Sequence, residues 1–161
     1  MRSDLDFTNT PVEECLKALQ MSEPRMEFHI MIKCFNMFTD RVIDKLWHYR
    51  VHCGEHSVII EECINSYSFR PMLDDRLERV HQLWTTQNTI NVVCCDSDGT
   101  QRSVAMAYIL CAVLQMKGCK TAGPYHICKG QWWKNAICSR CPRCQPHEEK
   151  LEMFSAVASS L

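Results

Sequence analysis

Between Gly99 and His147 the chain carries no acidic residue, while Arg102, Lys117, Lys120, Lys129, Lys134, Arg140 and Arg143 give the same stretch seven positive charges. The whole chain has a net charge of -1, so the remainder is about as acidic as this stretch is basic. A half of single sign suits an anionic partner. The bland alternatives are that these lysines and arginines are simply solvated, or that a metal–thiolate site cancels part of the charge. Other absences narrow the field further. No apolar run approaches the roughly 18 residues needed to span a bilayer, so no membrane partner is expected. Met1 to Asp6 holds two aspartates and no apolar run, which argues against a secretory leader. An intracellular, cytoplasmic setting follows as an expectation, with thiols kept reduced and free. There is no Gly-x-x-x-x-Gly-Lys-Ser/Thr stretch, so no ATP site is expected.

What is present fits one folded domain over residues 1–161, with 1–9 polar and loose. The 46% hydrophobic and 23% charged composition is that of a globular chain. Thr10-Pro11-Val12-Glu13 has the form of a capped helix start, ending before Pro24. From Phe28 to Cys34 apolar and polar residues alternate, which predicts a strand. Asp40 can cap a helix through Trp47, which Cys53-Gly54 interrupts. Ser57 can cap a short helix with Ile59, Ile60, Cys63 and Ile64. Pro71 opens another, whose inner face is Leu73, Leu77, Val80 and Trp84. A strand is expected over Ile90–Cys95. The helix after it, Ser103–Met116, is apolar almost all round and should be buried, with Gly118 ending it. Lys120 to Cys128 is a candidate edge strand bent at Gly123-Pro124. Glu148–Leu161 should close the chain as a helix with Leu151, Phe154, Val157 and Leu161 inward. This alternation predicts an α/β fold: a single-layer, mostly parallel sheet flanked by helices, with a Cys-rich C-terminal segment.

The stretch from Asn91 to Ala107 combines a buried strand, a short polar loop and a helix start. Ligands of open α/β sheets sit beyond the carboxyl ends of strands. Gly99, Thr100, Gln101, Arg102 and Ser103 are therefore the candidate phosphate-binding residues. Gly99 permits close approach of the backbone, Thr100 and Ser103 offer hydroxyls, and Arg102 can grip a phosphate with two parallel hydrogen bonds. The helix N-terminus adds free N–H donors. Asp96 and Asp98 oppose an anion unless they face away or serve another ligand. The structural alternative is an ordinary strand-to-helix turn capped by Asp98. A cysteine phosphatase needs five residues between its nucleophile and the arginine. Here six separate Cys95 from Arg102, and the residue in register is Asp96. An enzyme or pseudophosphatase using Cys94 or Cys95 is thus the lesser reading, and no catalytic residue is assigned.

Residues 91–107 resemble the signature of the RapZ C-terminal domain of bacterial RNase adaptor proteins: an apolar strand, Cys-Thr-Gly-Gly-x-His-Arg-Ser-Val, then a helix. Gly99, Arg102, Ser103 and Val104 match it directly. Gln101 stands where the family has histidine and Asp96 where it has cysteine. His29–Phe35 is similar to the family's early strand, and His52–Val58 to its Thr-Gly turn. Eukaryotic relatives often follow the helix with a histidine, a tryptophan and closely spaced cysteines. The likeness covers about residues 26–145. It implies a non-catalytic binding domain that forms homo-oligomers and takes a phosphorylated small molecule of the phosphosugar kind, or RNA, at residues 92–104.

Twelve cysteines remain to be explained. Cys15, Cys34, Cys63 and Cys111 fall in apolar patterns and suit small buried hydrophobes. Cys138, Cys141 and Cys144 recur at x2 spacing, as half of a structural zinc site does, and His126 is the candidate fourth ligand, with Cys128 or His147 as alternatives. Free thiols or an iron–sulfur cluster are the competing readings. Lys129, Trp132, Trp133, Lys134, Arg140 and Arg143 mix aromatic and basic side chains and are the nucleic-acid candidates, since exposed rings among cations can stack bases. Tryptophans packed in the core are the alternative. A zinc-stabilised interaction module with a vestigial loop is the third functional reading.

Overall fold

The computed structural model describes residues 29–33, 49, 51–87, 90–95, 101–124, 137–146 and 148–161. Two strands, β1 (His29–Lys33) and β2 (Asn91–Cys95), pair in parallel, with His29 opposite Asn91 and Lys33 opposite Cys95. A parallel pair needs a long crossover. Here the intervening chain supplies helices α1 (Ser57–Ile64) and α2 (Phe69–Trp84). After β2 come α3 (Arg102–Met116), the single turn α4 (Ile137–Arg140), a 3₁₀ turn over Pro142–Cys144, and α5 (Glu148–Ser159). The expected helices starting near Thr10 and Asp40 lie outside the described residues. Residues 120–124 carry no strand, and the rest of the candidate edge strand also lies outside them. Among the described residues no helix is long and apolar enough to cross a membrane.

One core joins the helices. Ile59, Ile60 and Cys63 of α1 meet Ala105, Met106, Ile109, Leu110 and Val113 of α3, with Phe69, Leu73 and Val80 of α2 and Phe154 and Val157 of α5. Each large side chain here contributes about 1.5–3 kcal/mol by leaving water. Val92 and Cys94, two residues apart on β2, pack against this core together. Helix α3 is the central element. None of its residues from Arg102 to Leu114 is exposed, as its nearly unbroken apolar sequence predicts. It ends at Gly118, whose φ of 85° places it in the left-handed region that closes helices.

Local details depart from the expected ones. The cap of α1 is His56, whose Nδ1 accepts the Val58 N–H at 3.2 Å; Ser57 is instead the first helical residue. Helix α2 begins at Phe69, so Pro71 sits inside its first turn, where a missing N–H costs nothing. Trp84 is exposed at its end, and Leu77 is only partly buried. On α5 the inward face is Lys150, Phe154 and Val157, spaced four and three residues apart. Leu151 lies one residue off this face and is 60% exposed, and Leu161 is exposed as well. Arg70 ties the two helices together, pairing with Asp74 at 3.0 Å and donating to the hydroxyl and carbonyl of Ser160.

Candidate metal centre

The turn before α1 reads Val51-His52-Cys53-Gly54-Glu55-His56. It is tightly wound: the His52 N–H donates to the Tyr49 carbonyl at 2.8 Å and the His56 N–H to the Cys53 carbonyl at 3.0 Å. The rings of Tyr49, His52 and His56 cluster, with centroids 4.5 Å apart for the two histidines. The turn is seated on the first turn of α3. A Cβ on Gly54 would overlap the Gln101 carbonyl oxygen and the Ala105 nitrogen, the two atoms of the first α3 hydrogen bond. Only glycine fits such an approach. From the other side, the Gln101 side-chain amide donates to the carbonyls of Tyr49 and His52 at 2.9 and 3.1 Å.

The C-terminal cysteines meet this turn. Cys53, Cys138 and Cys144 form one buried cluster, with Cys141 packed against it. The Cys53 N–H donates to Cys138 Sγ at 3.2 Å, and the Cys138 thiol faces the Val51 carbonyl at 3.8 Å. Cys144 Sγ lies 3.4 Å from His52 Nδ1. The x2 spacing works through two turns: the Cys141 N–H reaches the Cys138 carbonyl and the Cys144 N–H reaches the Cys141 carbonyl. The donor atoms of His52, Cys138 and Cys144 all lie within 4.8 Å of one another, and so do those of His52, His56 and Cys141. These Cys/His groups could hold a metal ion.

The electrostatics of the cluster are those of crowded, desolvated groups. The Cys144 thiol is pushed well above its usual range by its hydrogen bond with Cys53, then by burial and by the neighbouring thiols. Burial raises Cys138 too, against the lowering effect of the Cys53 N–H. Crowded, desolvated thiols resist ionising unless a cation joins them, and a bound metal reverses that balance. Burial first, then the positive charges of His52, Arg143 and Lys150, lowers His56 to about 4. Burial lowers His52 as well, with Cys53 opposing. Both imidazoles are therefore neutral near pH 7, as ligands or acceptors must be. Lys150 is buried, donates to the Gln145 carbonyl at 2.7 Å, and faces Cys144 and Glu55. Glu55 is buried and hydrogen-bonded to Tyr108, whose hydroxyl is raised by burial and then by that carboxylate.

Of the ligands expected from sequence, Cys138, Cys141 and Cys144 come together, while His126, Cys128 and His147 lie outside the described residues. The centre gains His52, Cys53 and His56, which the spacing argument missed. Their signal was a His-Cys-Gly-x-His string 85 residues from Cys138, read as a helix break and as similar to the Thr-Gly turn of the RapZ-type domain, not as a set of ligands. In the anion loop Gly99 and Thr100 lie outside the described residues. Arg102 is the first residue of α3 and Ser103 is buried. Gln101 turns its amide to the two carbonyls. Cys94 packs against the core. Arg140 and Arg143 are exposed, whereas Lys129, Trp132, Trp133 and Lys134 lie outside the described residues. No family model matches the chain, and neither does any curated protein or solved structure.

Proposed function

We propose that this chain is a non-catalytic α/β binding domain of the RapZ C-terminal kind. In this reading a zinc centre holds the strand–loop–helix that receives a phosphorylated small molecule or RNA. The carrying observation is the seating of the His52–His56 turn on the first turn of α3. Metal centre and candidate anion loop thereby share one set of backbone contacts. Zinc is the metal of choice because mixed thiol and imidazole donors, closed off from water, suit its structural sites. Arg102 at the head of α3 would grip the phosphate, helped by the helix dipole and by a first turn with no acidic residue. Lys117, Lys120, Arg140 and Arg143, all exposed, add to an anion-attracting surface. The parallel pairing of β1 and β2, with α3 beside β2, supports the α/β reading.

Calorimetry with an amino-sugar phosphate, and separately with a short single-stranded RNA at low and high salt, tests this. At least one should bind, and Arg102→Ala should weaken it by about tenfold or more, the loss of one charge-assisted contact. RNA binding should fall steeply with salt. No binding of either probe sinks the reading. One observation favours a second reading, a zinc-stabilised interaction module with a vestigial loop: Gln101 spends its amide on the turn rather than offering it to a ligand. Arg102→Ala then changes no binding. The packing of Cys94 against the core speaks against its use as a nucleophile.

A further inference from the structure

Six donors crowd this centre, and a structural zinc ion takes four. Resting on the zinc reading, we infer that the four ligands are His52, Cys53, Cys138 and Cys144, and that Cys141 and His56 support the site without binding the ion.

The distances select His52, Cys138 and Cys144. A tetrahedral ion with ordinary zinc–sulfur and zinc–nitrogen bonds holds its sulfur and nitrogen ligands about 3.5 Å apart. His52 Nδ1 and Cys144 Sγ already stand at 3.4 Å, and Cys138 Sγ lies within 4.8 Å of Cys144 Sγ and of a His52 ring nitrogen. Cys53 falls outside that close donor group and is assigned as the remaining thiol on its burial and its contacts with the group. It is fully buried in the same cluster as Cys138 and Cys144, and its side chain is hydrogen-bonded to Cys144. Its backbone N–H is already directed at Cys138 Sγ, the kind of contact that spreads the charge of a bound thiolate.

Local chemistry removes the other two. His56 Nδ1 accepts the Val58 N–H, so its lone pair is engaged in capping α1. That hydrogen bond places the ring proton on Nε2, which leaves neither nitrogen open to a metal in the neutral imidazole. Cys141 is only half-buried, packs against the edge of the thiol cluster, and its donor atom falls in the close group of His52 and His56. What Cys141 contributes is its backbone, which accepts from Cys144 and donates to Cys138, folding the segment so that the first and third cysteines converge. Lys150 places a buried ammonium beside the thiols and balances the negative charge that three thiolates leave on a divalent ion. The ion then joins two segments 85 residues apart in sequence.

The test uses the full chain purified without an added histidine tag. Zinc content and competition with a chromogenic chelator are measured for the native chain and for Cys53→Ser, Cys138→Ser, Cys144→Ser, His52→Ala, Cys141→Ser and His56→Gln. The native chain should hold one equivalent. The first four variants should bind zinc at least about 100-fold more weakly, the upper limit for loss of a mere outer partner. Cys141→Ser and His56→Gln should keep the full equivalent. Cobalt substitution of the native chain gives a second readout that needs no variant to fold. Its charge-transfer band should have the strength of three thiolates and be unchanged in Cys141→Ser. A four-thiolate spectrum, or loss of metal in Cys141→Ser with retention in Cys53→Ser, overturns the assignment while leaving zinc itself in place. A native chain that takes up no zinc or cobalt removes the zinc reading and this assignment with it.

Discussion

The helical core and the cysteine centre hold the molecule together in opposite ways. The core, among the described residues, is built from thirteen buried side chains on four helices and rests on burial of apolar area. The centre, among the described residues, buries only three cysteines with a fourth beside them, among histidines, a glutamate and a lysine. Small side chains and desolvated polar groups give little hydrophobic stabilisation and carry a cost of their own. In the proposed zinc reading a metal ion would supply what packing does not: it would turn thiols that resist ionising into ligands and join the C-terminal segment to the turn under α3.

The largest effect should therefore come from removing the ion. Chelation should lower the thermal midpoint and raise protease cleavage around residues 137–146, with far-ultraviolet circular dichroism showing α3 largely retained. Structural zinc sites carry free energies on the order of 10 kcal/mol in small domains, so a drop of many degrees is expected. An unchanged midpoint would erase the contrast. Next comes the converse experiment. Ile109→Ala, at the heart of α3, should cost about 2–5 kcal/mol in denaturant unfolding yet leave zinc content at one equivalent. Gln101→Ala should be milder, about 1 kcal/mol, because two partly buried carbonyls lose their donor.

Acid should act on the metal-free chain through His56. Its folded value of about 4 lies below the ordinary 6.5, so the folded state binds fewer protons between these limits. Its contribution is fully present above pH 6.5 and is lost as pH falls toward 4, with a slope of up to about 1.4 kcal/mol per pH unit. His56→Gln should flatten this part of the unfolding profile. The smallest effect belongs to Leu151→Ala, within about 0.5 kcal/mol, since that side chain faces water.

The two regions also differ in how far sequence reveals them. Periodicity located β1, α1, α2, β2, α3 and α5 to within a few residues, because each buries a face repeating at a fixed interval. It misjudged Leu151, which lies one residue off the inward face of Lys150, Phe154 and Val157, where Lys150 turns in to donate to the Gln145 carbonyl. The x2 spacing of Cys138, Cys141 and Cys144 marked half of the centre. His52 and Cys53 were hidden because nothing local to them repeats. Their partners lie 85 residues away or more, and only the fold brings them together. The cap of α1 was misplaced for a related reason: Ser57 has the better propensity, but His56 has the geometry, held between Tyr49, His52 and the start of the helix.

Hydrogen exchange, compared between the zinc-loaded and chelated chain, tests most directly whether one ion organises both the turn and the head of α3. Chelation should speed exchange in three places together, residues 52–60, 101–107 and 137–146, while the amides of α3 beyond Ile109 stay protected. Acceleration confined to residues 137–146, with 52–60 and 101–107 unchanged, would contradict the account.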